Sequence, residues 1–124
     1  MPEVLPVQED MDLIVDTDNL WHFAVSDENG ARLDPTTWGG NLQIAKTEKS
    51  IPLVAIAWTV VTDPLDATKK VLQIPIPDSS IQPATLPPGT PDTPKVYVYS
   101  LKRTDEGFEK PLRYGKMNVF RIRL

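Results

Sequence analysis

Short apolar runs, separated by turn-forming residues, recur along this chain at the ~8–12-residue spacing of an all-β sandwich or barrel. Residues 11–16 (MDLIVD) predict a first strand. In residues 20–26, Trp21, Phe23 and Val25 fall on one face, and His22 and Ala24 on the other. That period of two marks a half-buried strand. Residues 27–30 (DENG) break it, with Asn29-Gly30 suited to the positive φ of a reversal. Residues 34–40 (DPTTWGG) form a second turn cluster. Residues 41–47 predict a strand with Leu42 and Ile44 on one face. Residues 53–62 (LVAIAWTVVT) predict another, rich in β-branched side chains, with Val54, Ile56, Trp58 and Val60 sharing a face. Asp63-Pro64 ends that run. Residues 70–76 group Leu72, Ile74 and Ile76, and Pro75 marks an edge, or a position whose backbone nitrogen faces solvent. Residues 95–102 group Tyr97, Tyr99 and Leu101, and residues 104–107 turn the chain. Residues 112–124 predict a long closing strand, with Phe120, Ile122 and Leu124 opposite Arg121 and Arg123.

Two segments break the pattern. Residues 77–94 hold six prolines and one glycine, a density that no strand or long helix survives. They predict a long connection that crosses between sheets or stands out as a loop. A short helical turn near 79–82, capped by Asp78 or Ser79, fits within it. Residues 1–10 (MPEVLPVQED) combine two prolines with three acids and predict a flexible, solvated N-terminal arm. The expected organisation is therefore this arm followed by one domain over 11–124. The domain is all-β, a two-layer antiparallel β-sandwich of about seven strands. It is immunoglobulin-like in architecture alone, because the Cys…Trp…Cys arrangement is missing. A small barrel is the alternative.

Composition narrows the function classes. The 124 residues fit one domain, and 40% hydrophobic content supports one modest core. There is no cysteine, which excludes disulfides and thiolate metal sites. A formal charge of −4 disfavours nucleic acid as a partner. The longest apolar stretch, residues 51–61, is too short to span a bilayer as a helix. The acidic, proline-bearing start is unlike a secretory leader. The expectation is a soluble protein made in a cytoplasm, with no membrane partner.

The charges are unevenly placed. Residues 1–34 carry nine acids (Glu3, Glu9, Asp10, Asp12, Asp16, Asp18, Asp27, Glu28, Asp34) against Arg32. Residues 101–124 carry seven bases (Lys102, Arg103, Lys110, Arg113, Lys116, Arg121, Arg123) against three acids. Either neighbouring strands pair these charges within one sheet, or copies meet head to tail, acidic edge against basic edge.

Candidate chemistry is sparse. His22 is the lone histidine, and no serine motif beside it supplies a nucleophile. Asp10, Asp12, Asp16 and Asp18 alternate as calcium ligands can, but Leu13, Ile14 and Val15 stand where a calcium loop needs oxygen ligands and a central glycine. No phosphate loop, paired metal histidines or nucleophile elbow is present. No catalytic residue, metal or cofactor is therefore expected. Trp38, in a glycine-flanked loop, is the best-placed aromatic for an exposed, sugar-binding ring, while Trp21, Trp58, Tyr97 and Tyr99 fit a core or an interface.

In order, the chain shows an aromatic–x–aromatic strand (Trp21, Phe23), an Asp-x-x-Gly turn (Asp27, Gly30) and an Asp-Pro-Thr loop (34–36). A Leu42-Gln43-Ile44 strand follows. Then come Tyr97-Val98-Tyr99-Ser100-Leu101, the turn Thr104-Asp105-Glu106-Gly107, and a closing strand from Arg113-Tyr114-Gly115-Lys116. Over about residues 12–124 this resembles the small β-sandwich domain of tailed-bacteriophage structural proteins. It is similar to the N-terminal domain of phage baseplate upper proteins and of related tail or virion accessory proteins. The resemblance implies a non-enzymatic virion protein of the baseplate, tail or fibre-attachment region. It would form a homo-oligomeric ring or trimer and join other virion structural proteins. Capsid decoration is a second version, and a carbohydrate- or surface-binding module is a different class. The expected assembly contacts are Glu3, Val4, Leu5 and Val7 in the arm, Trp38, Pro87, Pro88 and Pro91 in loops, and Arg121 and Arg123 in the closing strand. Prolines stiffen such a loop in advance and lower the entropy lost on docking.

Overall fold

The computed structural model describes residues 6–82 and 85–122. These residues form a two-layer β-sandwich of nine strands. In chain order these are β1 (Val7–Gln8), β2 (Met11–Ile14), β3 (Asn19–Phe23), β4 (Gly40–Ala45), β5 (Val54–Ala57), β6 (Thr59–Asp63), β7 (Asp66–Ile76), β8 (Lys95–Arg103) and β9 (Lys110–Phe120). One sheet runs β1-β9-β8-β4-β5, with β2 also on β9, and the other runs β3-β7-β6. That division follows the immunoglobulin pattern: β9, β8, β4 and β5 take the places of its G, F, C and C′ strands, and β3, β7 and β6 those of B, E and D.

Alternating apolar positions build the core between the sheets. Leu42, Ile44, Leu72, Ile74, Ile76, Met117 and Val119 are fully buried, with Tyr97, Tyr99 and Leu101 nearly so. Each fully buried Leu or Ile contributes about 1.5–3 kcal/mol. Most predicted faces hold, because a half-buried strand cannot slip by one residue without exposing its whole apolar set.

The strand count differs from the expected seven for two reasons. First, the apolar run at 53–62 is two strands, β5 in the larger sheet and β6 in the smaller. The chain changes layer at Trp58, whose ring is buried beside Gly40; a Cβ there would lie 2.2 Å from the Trp58 ring. Val54 and Trp58 are core residues and Ile56 and Val60, partly buried, pack against them, since the chain keeps one side inward as it changes sheets. Second, the N-terminal segment is partly strand. β1 and β2 both pair parallel with β9, in the same register: Val7 lies opposite Arg113 and Met11 opposite Met117. Residues 7–8 of the expected arm are thus paired, residues 1–5 lie outside the described residues, and the sandwich is not wholly antiparallel.

The proline-rich connection leads from β7 in one sheet to β8 in the other. Its described residues contain one 3₁₀ turn, Asp78–Ser80, whose N-cap is Pro77 with no side-chain cap, rather than Asp78 or Ser79. Ile81 and Leu86 are fully buried and pin the connection to the core. Gly89 bridges to Phe120.

Candidate functional site

The acidic start and the basic end meet side by side. Arg113 pairs with Glu9, and Arg121 with Asp16. Asn118 donates to Asp12 at 3.1 Å, and the Lys116 amide donates to Asp10 at 3.1 Å. Two ion pairs and two hydrogen bonds thus join part of the acidic start to part of the basic end within one sheet. Exposed pairs of this kind contribute about 0–1 kcal/mol each.

The residues expected to make assembly contacts are scattered. Val7 is half exposed and lines a cleft of about 310 Å³ between the sheets, beside Phe23, Leu112 and Arg113. The Arg113 guanidinium lies 4.5 Å over the Phe23 ring, and burial lowers its pKa. Trp38 is only partly exposed. Arg103 covers its ring at 4.1 Å. Arg103 is fixed in turn by Asp105 (2.8 Å) and Glu106 (3.2 Å), so Trp38 is no free platform. Pro87 and Pro91 are exposed, Pro88 is half-buried, and the Pro87 carbonyl accepts the Tyr97 hydroxyl at 2.8 Å. Arg121 is engaged by Asp16. Glu3, Val4, Leu5 and Arg123 lie outside the described residues.

His22 is exposed on β3, 3.2 Å from the Gln73 amide. Among the described residues no cluster of three or more His, Asp or Glu could hold a metal ion, and no helix is long and apolar enough to cross a membrane.

Two surface features stand out instead. Large apolar side chains sit in turns: Ile51 between β4 and β5 (86% exposed), Leu65 between β6 and β7 (95%) and Phe108 between β8 and β9 (63%). Turn chemistry calls for Gly, Asn, Asp, Ser or Pro at such places, not for these three. In addition, among the described residues β3 and β6 end one sheet, and β5 ends the other, with a strand neighbour on one side only.

The second feature is a trough of about 780 Å³ on the outer face of the larger sheet. The register aligns Gln43 on β4, Ser100 on β8, Tyr114 on β9 and Gln8 on β1 in one row across four strands. The next row, Ala45, Val98 and Lys116, has small side chains over β4 and β8. Small residues at the centre, with Thr47, Ser50 and Pro52 of the β4–β5 loop on one side and Tyr114 and Lys116 on the other, make the face concave. Lys102 and Glu109 pair at 2.9 Å on its wall. Sequence reading missed this row. Its signal is amides and hydroxyls at outward positions, and it becomes visible only once the strand register aligns them.

Comparison with protein-family models, curated proteins and solved structures found no match for this chain.

Proposed function

We propose that this chain is a non-catalytic β-sandwich module of a multi-subunit assembly, of the kind found in tailed-phage virions, working by contact with copies of itself and with other structural proteins. The observation that carries this reading is the exposure of Ile51, Leu65 and Phe108 in three separate turns. A side chain of this size left in water forgoes about 1.5–3 kcal/mol, which a docking partner recovers. Open edges at β3 and β6 add backbone donors and acceptors that a neighbouring strand can pair.

The virion setting rests on the sequence resemblance, whose motifs form ordered local structure. Trp21 and Phe23 make an edge-to-face pair with centroids 6.2 Å apart. Asp27 accepts the amides of Asn29 and Ala31 at 2.9 Å, and Gly30 takes a positive φ of 83°. Asp34 accepts the Thr36 amide at 3.0 Å. The test is antibody labelling of purified virus particles by electron microscopy. Label on the tail or baseplate is expected. Label confined to the head favours capsid decoration, and absence from particles overturns the virion reading.

A further inference from the structure

We infer that the trough on the outer face of the larger sheet is a binding site for an uncharged oligosaccharide. Its central row, Gln43, Ser100, Tyr114 and Gln8, runs across four strands in register. These side chains make no hydrogen bond to the described protein, so two amides and two hydroxyls face the trough with free donors and acceptors. Sugar hydroxyls present the complementary mixture of donor and acceptor on each oxygen.

The Tyr114 ring, 41% exposed, offers an apolar face for the C–H side of a pyranose. The charges nearly balance, so the trough carries no strong field of one sign. The trough is lined by Asp10, Glu48 and Glu109 against Lys102 and Lys116. An anion would meet three carboxylates and a cation two ammonium groups, and Lys102 and Glu109 already neutralise each other. The volume of about 780 Å³ lies within the ~300–1,000 Å³ range of small-molecule sites. An open, elongated floor suits a short chain of sugars better than one buried ring. Ile51, Leu65 and Phe108, on which the assembly reading rests, do not line this site, although Ser50 and Pro52 flank Ile51 and Glu109 follows Phe108.

The experiment is a titration of the intact, isotope-labelled protein with neutral oligosaccharides of glucose, galactose, rhamnose and N-acetylglucosamine, followed by amide and side-chain NMR shifts. At least one is expected to bind with millimolar or better affinity, with the largest shifts at Gln8, Gln43, Ser100 and Tyr114. Tyr114→Ala and Gln43→Ala are each expected to weaken binding about tenfold, and Trp38→Ala to leave it unchanged. Ser100→Ala, the mildest change in the row, serves as a second variant, with each fold checked by its own spectrum. No shift with any sugar at high millimolar concentration overturns the inference. So do shifts centred away from the row, affinity indifferent to Tyr114→Ala and Ser100→Ala, or a trough that takes an extended peptide and no sugar.

Discussion

Tyr99 is where sequence, packing and electrostatics meet at one side chain. It is nearly fully buried, and its hydroxyl donates to the Glu9 carbonyl at 2.6 Å, tying the junction of β1 and β2 to the core. Burial, with a smaller push from Asp10, raises its pKa from near 10 to about 12. The folded state thus favours the neutral phenol. This contribution is complete below pH 10, and it is lost as pH rises from about 10 to about 12, where the unfolded chain ionises first. Denaturation midpoints across that range should fall more steeply for the native protein than for Tyr99→Phe. At neutral pH that variant should lose about 0.5–1.5 kcal/mol, one hydrogen bond. Gly115 sits at the same junction: a Cβ there would lie 2.2 Å from the Glu9 carbonyl oxygen. Gly115→Ala should cost about 1–3 kcal/mol and speed amide exchange at Glu9, whose N–H donates to Tyr114. Tyr99 is legible in the sequence as an inward residue by its period of two. Its partner is not, because no local pattern announces a contact 90 positions away.

At the scale of elements, alternation exposes each strand's faces, while sheet membership depends on contacts distant in sequence. The run 53–62 shows this best. Its inward residues are all readable, yet nothing local marks Trp58 as the crossing between layers. Likewise, the proline density of 77–94 announces a connection, but Ile81 and Leu86 become core residues only because the crossing passes over the end of the sandwich. Leu86→Ala should therefore destabilise the fold by about 2–5 kcal/mol, as an urea titration would read, although the residue lies in an irregular segment. The hairpin between β8 and β9 is fastened to the 34–40 loop. Asp105 accepts from Arg103 and from the Gly39 amide at 3.1 Å, and the Arg103 bond is the main cause holding its pKa down to about 2. That fastening is intact above about pH 4 and is lost as pH falls towards 2. The Trp38 fluorescence, sensitive to the Arg103 cation above its ring, should change over that interval in the native protein and not in Asp105→Asn.

Over the whole molecule, β1 and β2 run parallel to β9, and this brings Glu9 to Arg113 and Asp16 to Arg121 within one chain. The proposed contacts with other chains draw on the turn side chains Ile51, Leu65 and Phe108 and the open edges of β3 and β6. The candidate trough was beyond the reach of sequence reading for the same reason as the charge pairing: both need the register. The most direct measurement is sedimentation equilibrium of the intact chain over about a hundredfold concentration range, beside a variant carrying Ile51→Ser, Leu65→Ser and Phe108→Ser. The expected result is self-association of the native chain and a monomer of unchanged fold for the variant. A native chain that stays monomeric throughout, or a variant that associates equally well, contradicts an assembly role for these surfaces.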